Sequence, residues 1–271
     1  MFRGILVPIT TPFTEGKVQL GRLEENLQKW NQTSLSGYVV LGSTGEFPYL
    51  DEQERESIIA AARAATPREK ALLAGTGWES TAATIRFTQR ASELGADAAL
   101  VVTPSYYQGH LTPQVLEEHY LAVAESSPIP VLLYNVPQFT GVNLLPETVC
   151  RLAKHPRIQG IKDSSGNLTQ LAEILKGCGG NFPVLTGAAS ILLGALVLGA
   201  SGAVLGIANV APERCVEVYN LFQAGKLEEA RARQLELLAL ARGVGARFGV
   251  GGIKAAMDLV GYWGGLPRRP L

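Results

Sequence analysis

Cysteine, histidine and lysine are all scarce in this chain of 271 residues. The three cysteines, Cys150, Cys178 and Cys215, lie far apart with no C-x-x-C pair. That spacing indicates neither a disulfide framework nor a thiolate zinc site. His110, His119 and His155 show neither H-x-x-x-H nor H-x-H spacing, so no metal site is expected. An excess of either charge is missing too: 24 Lys and Arg stand against 24 Asp and Glu, with no clustered basic run. Nucleic acid and anionic membrane surfaces are therefore poor partners on electrostatic grounds. Charged residues make up only 18% of the chain, below the roughly 25% of an average soluble domain, so much of it is interior. The start, Met1 to Phe13, lacks the apolar core and cleavage site of a signal peptide. A reduced, cytoplasmic enzyme is the expectation these absences leave.

One uncharged stretch is long enough to span a bilayer, residues 187–210. Glycines recur in it, and Gly199-Ala200-Ser201-Gly202 reads as punctuation between two shorter elements. The expectation is a buried helix followed by a buried strand, not a membrane span.

What the chain has in quantity is short apolar runs. They cover Gly4–Pro8, Gly37–Leu41, Ala71–Gly75, Ala98–Val102, Pro130–Tyr134, Gln159–Lys162, Pro183–Thr186 and Gly202–Leu205. The runs are continuous rather than alternating, as in strands covered on both faces. Helical patterns lie between them. Asp51 with Glu54 makes a capping-box pair for a helix running through Ala65, and Ser80 can cap one ending near Gly95. Thr112-Pro113 and Leu145-Pro146 place proline at a first helical position, and Asn167 can cap a helix ending at Gly177. Strand and helix alternate eight times, which predicts a (β/α)₈ TIM barrel over residues 1–210. Residues 211–271 read as a C-terminal helical extension with helices over Pro212–Ala224, Leu227–Arg242 and Gly252–Val260. A doubly wound sheet is the weaker alternative, because the turn after the first strand has no glycine.

In such a barrel, chemistry belongs to the C-terminal ends of the strands. Lys162 stands out there. Of the eight lysines, seven sit in polar or helical surroundings where a solvated ammonium is expected; Lys162 alone lies in a core strand. An ammonium is costly in apolar surroundings, and a neutral amine attacks carbonyls to form Schiff bases. The bland reading is an ion pair with Asp163 or Glu46. Tyr134, at another strand end, could carry protons beside that amine, or be an ordinary rim tyrosine. Ser43-Thr44-Gly45, flanked by Gly42, offers two hydroxyls and exposed N–H groups as a small anion cradle that suits a carboxylate; it also serves as a tight turn. Tyr106-Tyr107 follows Thr103-Pro104 and reads equally as packing, subunit contact or catalytic group.

Four motifs, Gly42-Ser43-Thr44-Gly45-Glu46, Thr103-Pro104-Ser105-Tyr106-Tyr107, Tyr134-Asn135-Val136-Pro137 and Gly160-Ile161-Lys162-Asp163, resemble the dihydrodipicolinate synthase / N-acetylneuraminate lyase family of class I aldolases. The resemblance runs from about Gly4 to Pro270. It implies a barrel with C-terminal helices, a homotetramer built from tight dimers or a homodimer, and pyruvate held as a Schiff base with no metal or other cofactor. It assigns Lys162 as the Schiff-base lysine, Tyr134 as general acid/base, Ser43 as relay hydroxyl and Thr44, with Gly45, as carboxylate binder. Tyr106, or its neighbour Tyr107, matches the tyrosine that adjoining subunits insert into each other's sites. Gly187 and Val204 match positions lining the pyruvate pocket. Phe139 stands where synthases acting on aspartate semialdehyde carry an arginine, and Ala188-Ala189 where sialic acid lyases carry acidic residues. Gly45 to Leu50, Arg247-Phe248-Gly249 and Gly261 to Gly265 are similar to 4-hydroxy-2-oxoglutarate aldolases. The expected reaction is cleavage of 4-hydroxy-2-oxoglutarate to pyruvate and glyoxylate. Its alternatives are condensation of pyruvate with aspartate semialdehyde, and a non-catalytic keto-acid-binding barrel. A metal-dependent aldolase finds no support in the histidine spacing. Many relatives continue beyond Arg268-Arg269 into another helix, so family-typical subunit contacts at that end are not expected.

Overall fold

A computed structural model describes residues 2–271. Its eight parallel strands are β1 (Gly4–Pro8), β2 (Gly37–Val40), β3 (Ala71–Gly75), β4 (Ala98–Val102), β5 (Val131–Asn135), β6 (Ile158–Asp163), β7 (Val184–Thr186) and β8 (Gly202–Val204). Each pairs with its neighbour and β1 pairs with β8, closing a barrel. The expected (β/α)₈ architecture is present, with strand limits within one residue or so of the apolar runs. Residues 187–210 form a helix, Leu192–Leu198, and then β8. Among the described residues no helix is long and apolar enough to cross a membrane.

Side chains alternate along each strand, and this splits the core in two. Leu6, Val39, Leu73, Leu100, Leu132, Leu185 and Val204 point inward and fill the barrel. Outward residues such as Tyr38, Val40, Val131 and Ile161 pack under the helices. Caps set the helix starts as the sequence predicts. Asp51 and Glu54 bond reciprocally in a capping box, and Ser80, Thr112 and Asn167 accept backbone N–H groups. The first helix, Leu20–Asn31, has no side-chain cap, and a two-stranded hairpin, Phe13–Thr14 with Lys17–Val18, precedes it. Both escaped the sequence reading.

The C-terminal helices cover Pro212–Gln223, Leu227–Ala241 and Arg247–Leu259. The last begins earlier than expected. A wide helical turn, Arg242–Ala246, leads directly into it, and Gly249 (φ 60°) breaks the helical path inside it. That helix holds a second buried lysine, where the sequence suggests a solvated one. Lys254 is not solvated; it is fully buried. Its ammonium meets the buried carboxylate of Glu46 at 2.5 Å, donates to the Leu266 carbonyl at 3.2 Å and lies 4.5 Å from the Phe13 ring centroid. Burial pushes the Lys254 ammonium below the usual lysine range, though Glu46 opposes the shift.

The C-terminal tail fastens to the same place. The Arg268 N–H donates to Glu46 at 2.7 Å, and its guanidinium takes both Glu54 oxygens, at 2.6 and 2.7 Å. Trp263 exchanges two hydrogen bonds with Asn26, both 2.8 Å. Glu46 sits in the left-handed region (φ 59°) directly after Ser43-Thr44-Gly45. Tail and last helix thus hold the Ser43–Gly45 turn, where the sequence places an anion cradle. A buried pair that loses one member leaves a buried, unpaired charge, at a cost of about 3–5 kcal/mol. Lys254→Ala should therefore lower unfolding free energy by about that amount in urea titrations. Lys254→Met combined with Glu46→Gln should recover a large part of it, which a simple packing role for Lys254 does not predict.

Candidate functional site

The β5–β6 register sets the site. Tyr134 pairs with Lys162 and Leu133 with Ile161. Tyr134 and Lys162 are therefore side by side on the inner face, above Leu132 and Leu185. Both are buried, and the Lys162 ammonium lies 4.1 Å from the Tyr134 ring centroid. Neither carboxylate of the bland reading reaches Lys162. Asp163 points to the other face, as strand alternation demands. There it accepts from Asn135 at 2.7 Å, Ser165 at 2.7 Å and Gln170 at 3.4 Å. Glu46 is held by Lys254 and Arg268. Among the described residues Lys162 makes no ion pair.

Across the barrel, Ser43 Oγ lies 3.2 Å from Tyr134 Oη. Burial alone would raise the Tyr134 pKa, but the adjacent Lys162 charge and hydrogen bonding from Ser43 outweigh it, so the phenol is more acidic than usual. Lysine, tyrosine and serine thus form one chain from β6 through β5 to the turn after β2. That turn is a single 3₁₀ turn, Ser43–Gly45. Thr11 Oγ1 donates to the Gly45 carbonyl at 2.6 Å. A Cβ on Gly45 would stand 3.1 Å from the Ile9 carbonyl oxygen, so the turn lies tight against the end of β1. Thr44 is half-buried beside Gly206.

Gly187 follows β7, and a Cβ there would strike Ser164 Oγ at 1.8 Å, so only glycine lets the ends of β6 and β7 close up beside Lys162. Val204 is buried in the barrel interior. Phe139 is on a short helix after β5, Pro137–Thr140, and is 72% exposed. Tyr106 and Tyr107 are likewise exposed, at 78% and 69%, and stack edge to face. Within this chain Tyr106 does not join the serine–tyrosine–lysine chain.

Two hydrogen-bond networks, one behind the site and one at the surface, escaped the sequence reading. Asn135, Asn143, Asp163 and Gln170 bond to one another behind the site and tie the loops after β5 and β6 together. Glu79 accepts from Ser105 N at 3.0 Å, Ser105 Oγ at 2.8 Å and Tyr106 N at 2.9 Å, and so fixes the turn that presents the tyrosine pair. Partial burial works against the Glu79 carboxylate, but these bonds win and hold its pKa below the usual value. The signal for Asp163 lay in its place at a strand end; Glu79 showed none in sequence. Among the described residues no group of three His, Cys, Asp or Glu is placed to hold a metal.

The dihydrodipicolinate synthetase family model matches residues 1–271. The chain belongs to this family. As a member of the dihydrodipicolinate synthetase family it is a class I aldolase, a carbon–carbon lyase of the type that forms a lysine Schiff base with pyruvate. A 4-hydroxy-tetrahydrodipicolinate synthase from Geotalea daltonii is 39% identical over 271 residues, covering 100% of this chain and 93% of the relative. The corresponding synthase of Methylacidiphilum fumariolicum SolV superposes with a TM-score of 0.95 at 30% identity, covering 100% of this chain and 90% of that one. A prophage protein of the family from E. coli K12, solved in complex with pyruvate, gives 0.94 at 30% identity over 100% of this chain and 93% of that one.

The acidity of Tyr134 has a direct test. In Lys162→Ala the ammonium is gone while the burial stays. The Tyr134 phenol should then titrate at higher pH than in the wild type, read as the ultraviolet phenolate difference against Tyr134→Phe in each background. An unchanged or lower titration point contradicts the assigned coupling.

Proposed function

We propose that Lys162 is the Schiff-base residue and that Tyr134, with Ser43, moves protons for carbon–carbon bond formation and cleavage next to a bound pyruvate. One observation carries the reading: Lys162 is buried beside Tyr134 near the C-terminal end of its strand, inside an apolar barrel, and among the described residues it has no ion-pair partner. The 2-keto carboxylate lies on the Ser43-Thr44 turn, against Gly45 and Gly187. Val204 forms part of the floor. The lysine amine adds to the keto carbon and loses water, and the iminium then accepts the electrons of the adjacent bond. Losing a C3 proton gives the enamine. The enamine carbon attacks an aldehyde, and Tyr134 supplies a proton to the new alkoxide. Cleavage runs the same steps backwards. No metal or organic cofactor enters this scheme.

Two acceptors compete. The relatives named 4-hydroxy-tetrahydrodipicolinate synthase favour aspartate semialdehyde condensing with pyruvate, and this takes precedence over the reading from sequence alone. Phe139 favours the second reading, cleavage of 4-hydroxy-2-oxoglutarate. An exposed phenyl ring stands where the resemblance places an arginine, and it cannot make a bidentate pair with a second carboxylate. A non-catalytic keto-acid-binding role is disfavoured by the intact lysine–tyrosine–serine chain. Tyr106 or Tyr107 completes the site from a neighbouring subunit, which makes the working form a homodimer or homotetramer. Their exposure, with that of Phe139, supports this assembly, and a cytoplasmic location suits the substrate class.

Purified enzyme should be given pyruvate with aspartate semialdehyde, and separately 4-hydroxy-2-oxoglutarate alone, with product followed by chromatography. Condensation at a much higher kcat/KM than cleavage supports the synthase reading, and the reverse order supports the lyase reading. Turnover of neither leaves only the binding role.

A further inference from the structure

Cys150 and Cys178 are separated in sequence but adjacent in space. They lie on consecutive helices, Pro146–Leu152 and Leu168–Cys178, on either side of β6 in the chain. Their sulfurs are 2.7 Å apart, and both residues are half-buried free thiols. The close approach is built into the helix contact. A Cβ on Gly177 would stand 2.7 Å from Cys150 Sγ, so glycine makes the room that Cys150 occupies. Cys215 is also free but fully buried, packed in the main hydrophobic cluster under the helices.

Cys178 also has access to solvent. It lines a cleft of about 350 Å³ together with Lys154, His155, Asn181, Phe182 and Pro183. Phe2, Ile158 and Pro183 place this cleft at the N-terminal ends of β1, β6 and β7. Lys162 is towards the other end of β6, and reactive sites of such barrels open at that end. Nothing in the proposed aldolase chemistry uses the cysteine pair.

We propose that Cys150 and Cys178 form a redox site, closing an intramolecular disulfide when a peroxide enters the cleft at Cys178. The peroxide oxidises the Cys178 thiol to a sulfenic acid and leaves as water. The Cys150 sulfur then attacks the sulfenic sulfur, the S–O bond breaks and a second water departs. One peroxide is reduced to two waters, and two thiols become one disulfide. Burial and the neighbouring Cys150 sulfur push the Cys178 thiol up, so little thiolate is present and the first step is slow. Proximity makes the second step fast. The bond staples the helices before and after β6 and leaves the lysine end of the barrel untouched.

The test is peptide mapping of the wild-type protein, alkylated before and after treatment with hydrogen peroxide. The expected result is a linked species joining the Cys150 and Cys178 peptides, lighter by two hydrogens and reversed by a thiol reductant, with Cys215 still alkylated. Cys150→Ser should give no linked species and should leave a sulfenic acid at Cys178 that dimedone traps. The oxidised wild type should still trap pyruvate under borohydride, which separates the disulfide from general damage. Full alkylation of both cysteines after peroxide, sulfinic acid at Cys178 without a linked species, or links only between chains would overturn the proposal.

Discussion

The site depends on one lysine ammonium kept inside an apolar barrel, with no carboxylate among the described residues to neutralise it. Lys162 is buried above Leu132 and Leu185 and faces Tyr134 rather than an acid. Burying a charge without a partner is unfavourable, so the surroundings must deny it the alternatives. Strand alternation turns Asp163 to the opposite face, where Asn135, Ser165 and Gln170 saturate it. Glu46 is taken by Lys254 and by the Arg268 backbone. The amine is left facing a phenol.

The fold's less conspicuous features serve the same end. Glycine at 187 lets β6 and β7 close beside the lysine, and the tight turn at Gly45 sets Ser43 against Tyr134. The last helix and the tail hold that turn from outside through a buried ion pair and the Arg268–Glu54 bonds. The C-terminal segment is thus part of the site's support, although it contributes no strand to the barrel.

Much of this was legible in the sequence. Continuous apolar runs and strong caps such as Asp51 and Thr112 marked the barrel, because local pattern and local hydrogen bonding decide those elements. The helix Leu20–Asn31 was missed since Gln19 offers no side-chain cap. Lys162 was legible because an ammonium in a core strand is out of place. Lys254 was not, because its helix reads as amphipathic and its partner lies some two hundred residues earlier in the chain. Only the tail folding over the barrel brings them together. Glu79 and the cysteine pair were hidden in the same way, since their partners come from adjacent βα units. The choice of aldehyde was the least constrained: Phe139 and three stretches similar to 4-hydroxy-2-oxoglutarate aldolases pointed to the lyase reaction, while relatives matched over the whole of this chain carry the synthase name.

The proposed chemistry requires Lys162, alone among the lysines, to condense with pyruvate. Borohydride reduction in the presence of pyruvate, followed by peptide mass mapping, tests it directly. A reduced pyruvyl adduct is expected on the peptide containing Lys162, absent when pyruvate is withheld and absent in Lys162→Ala. No adduct, or an adduct on Lys254 or any other lysine, would contradict it.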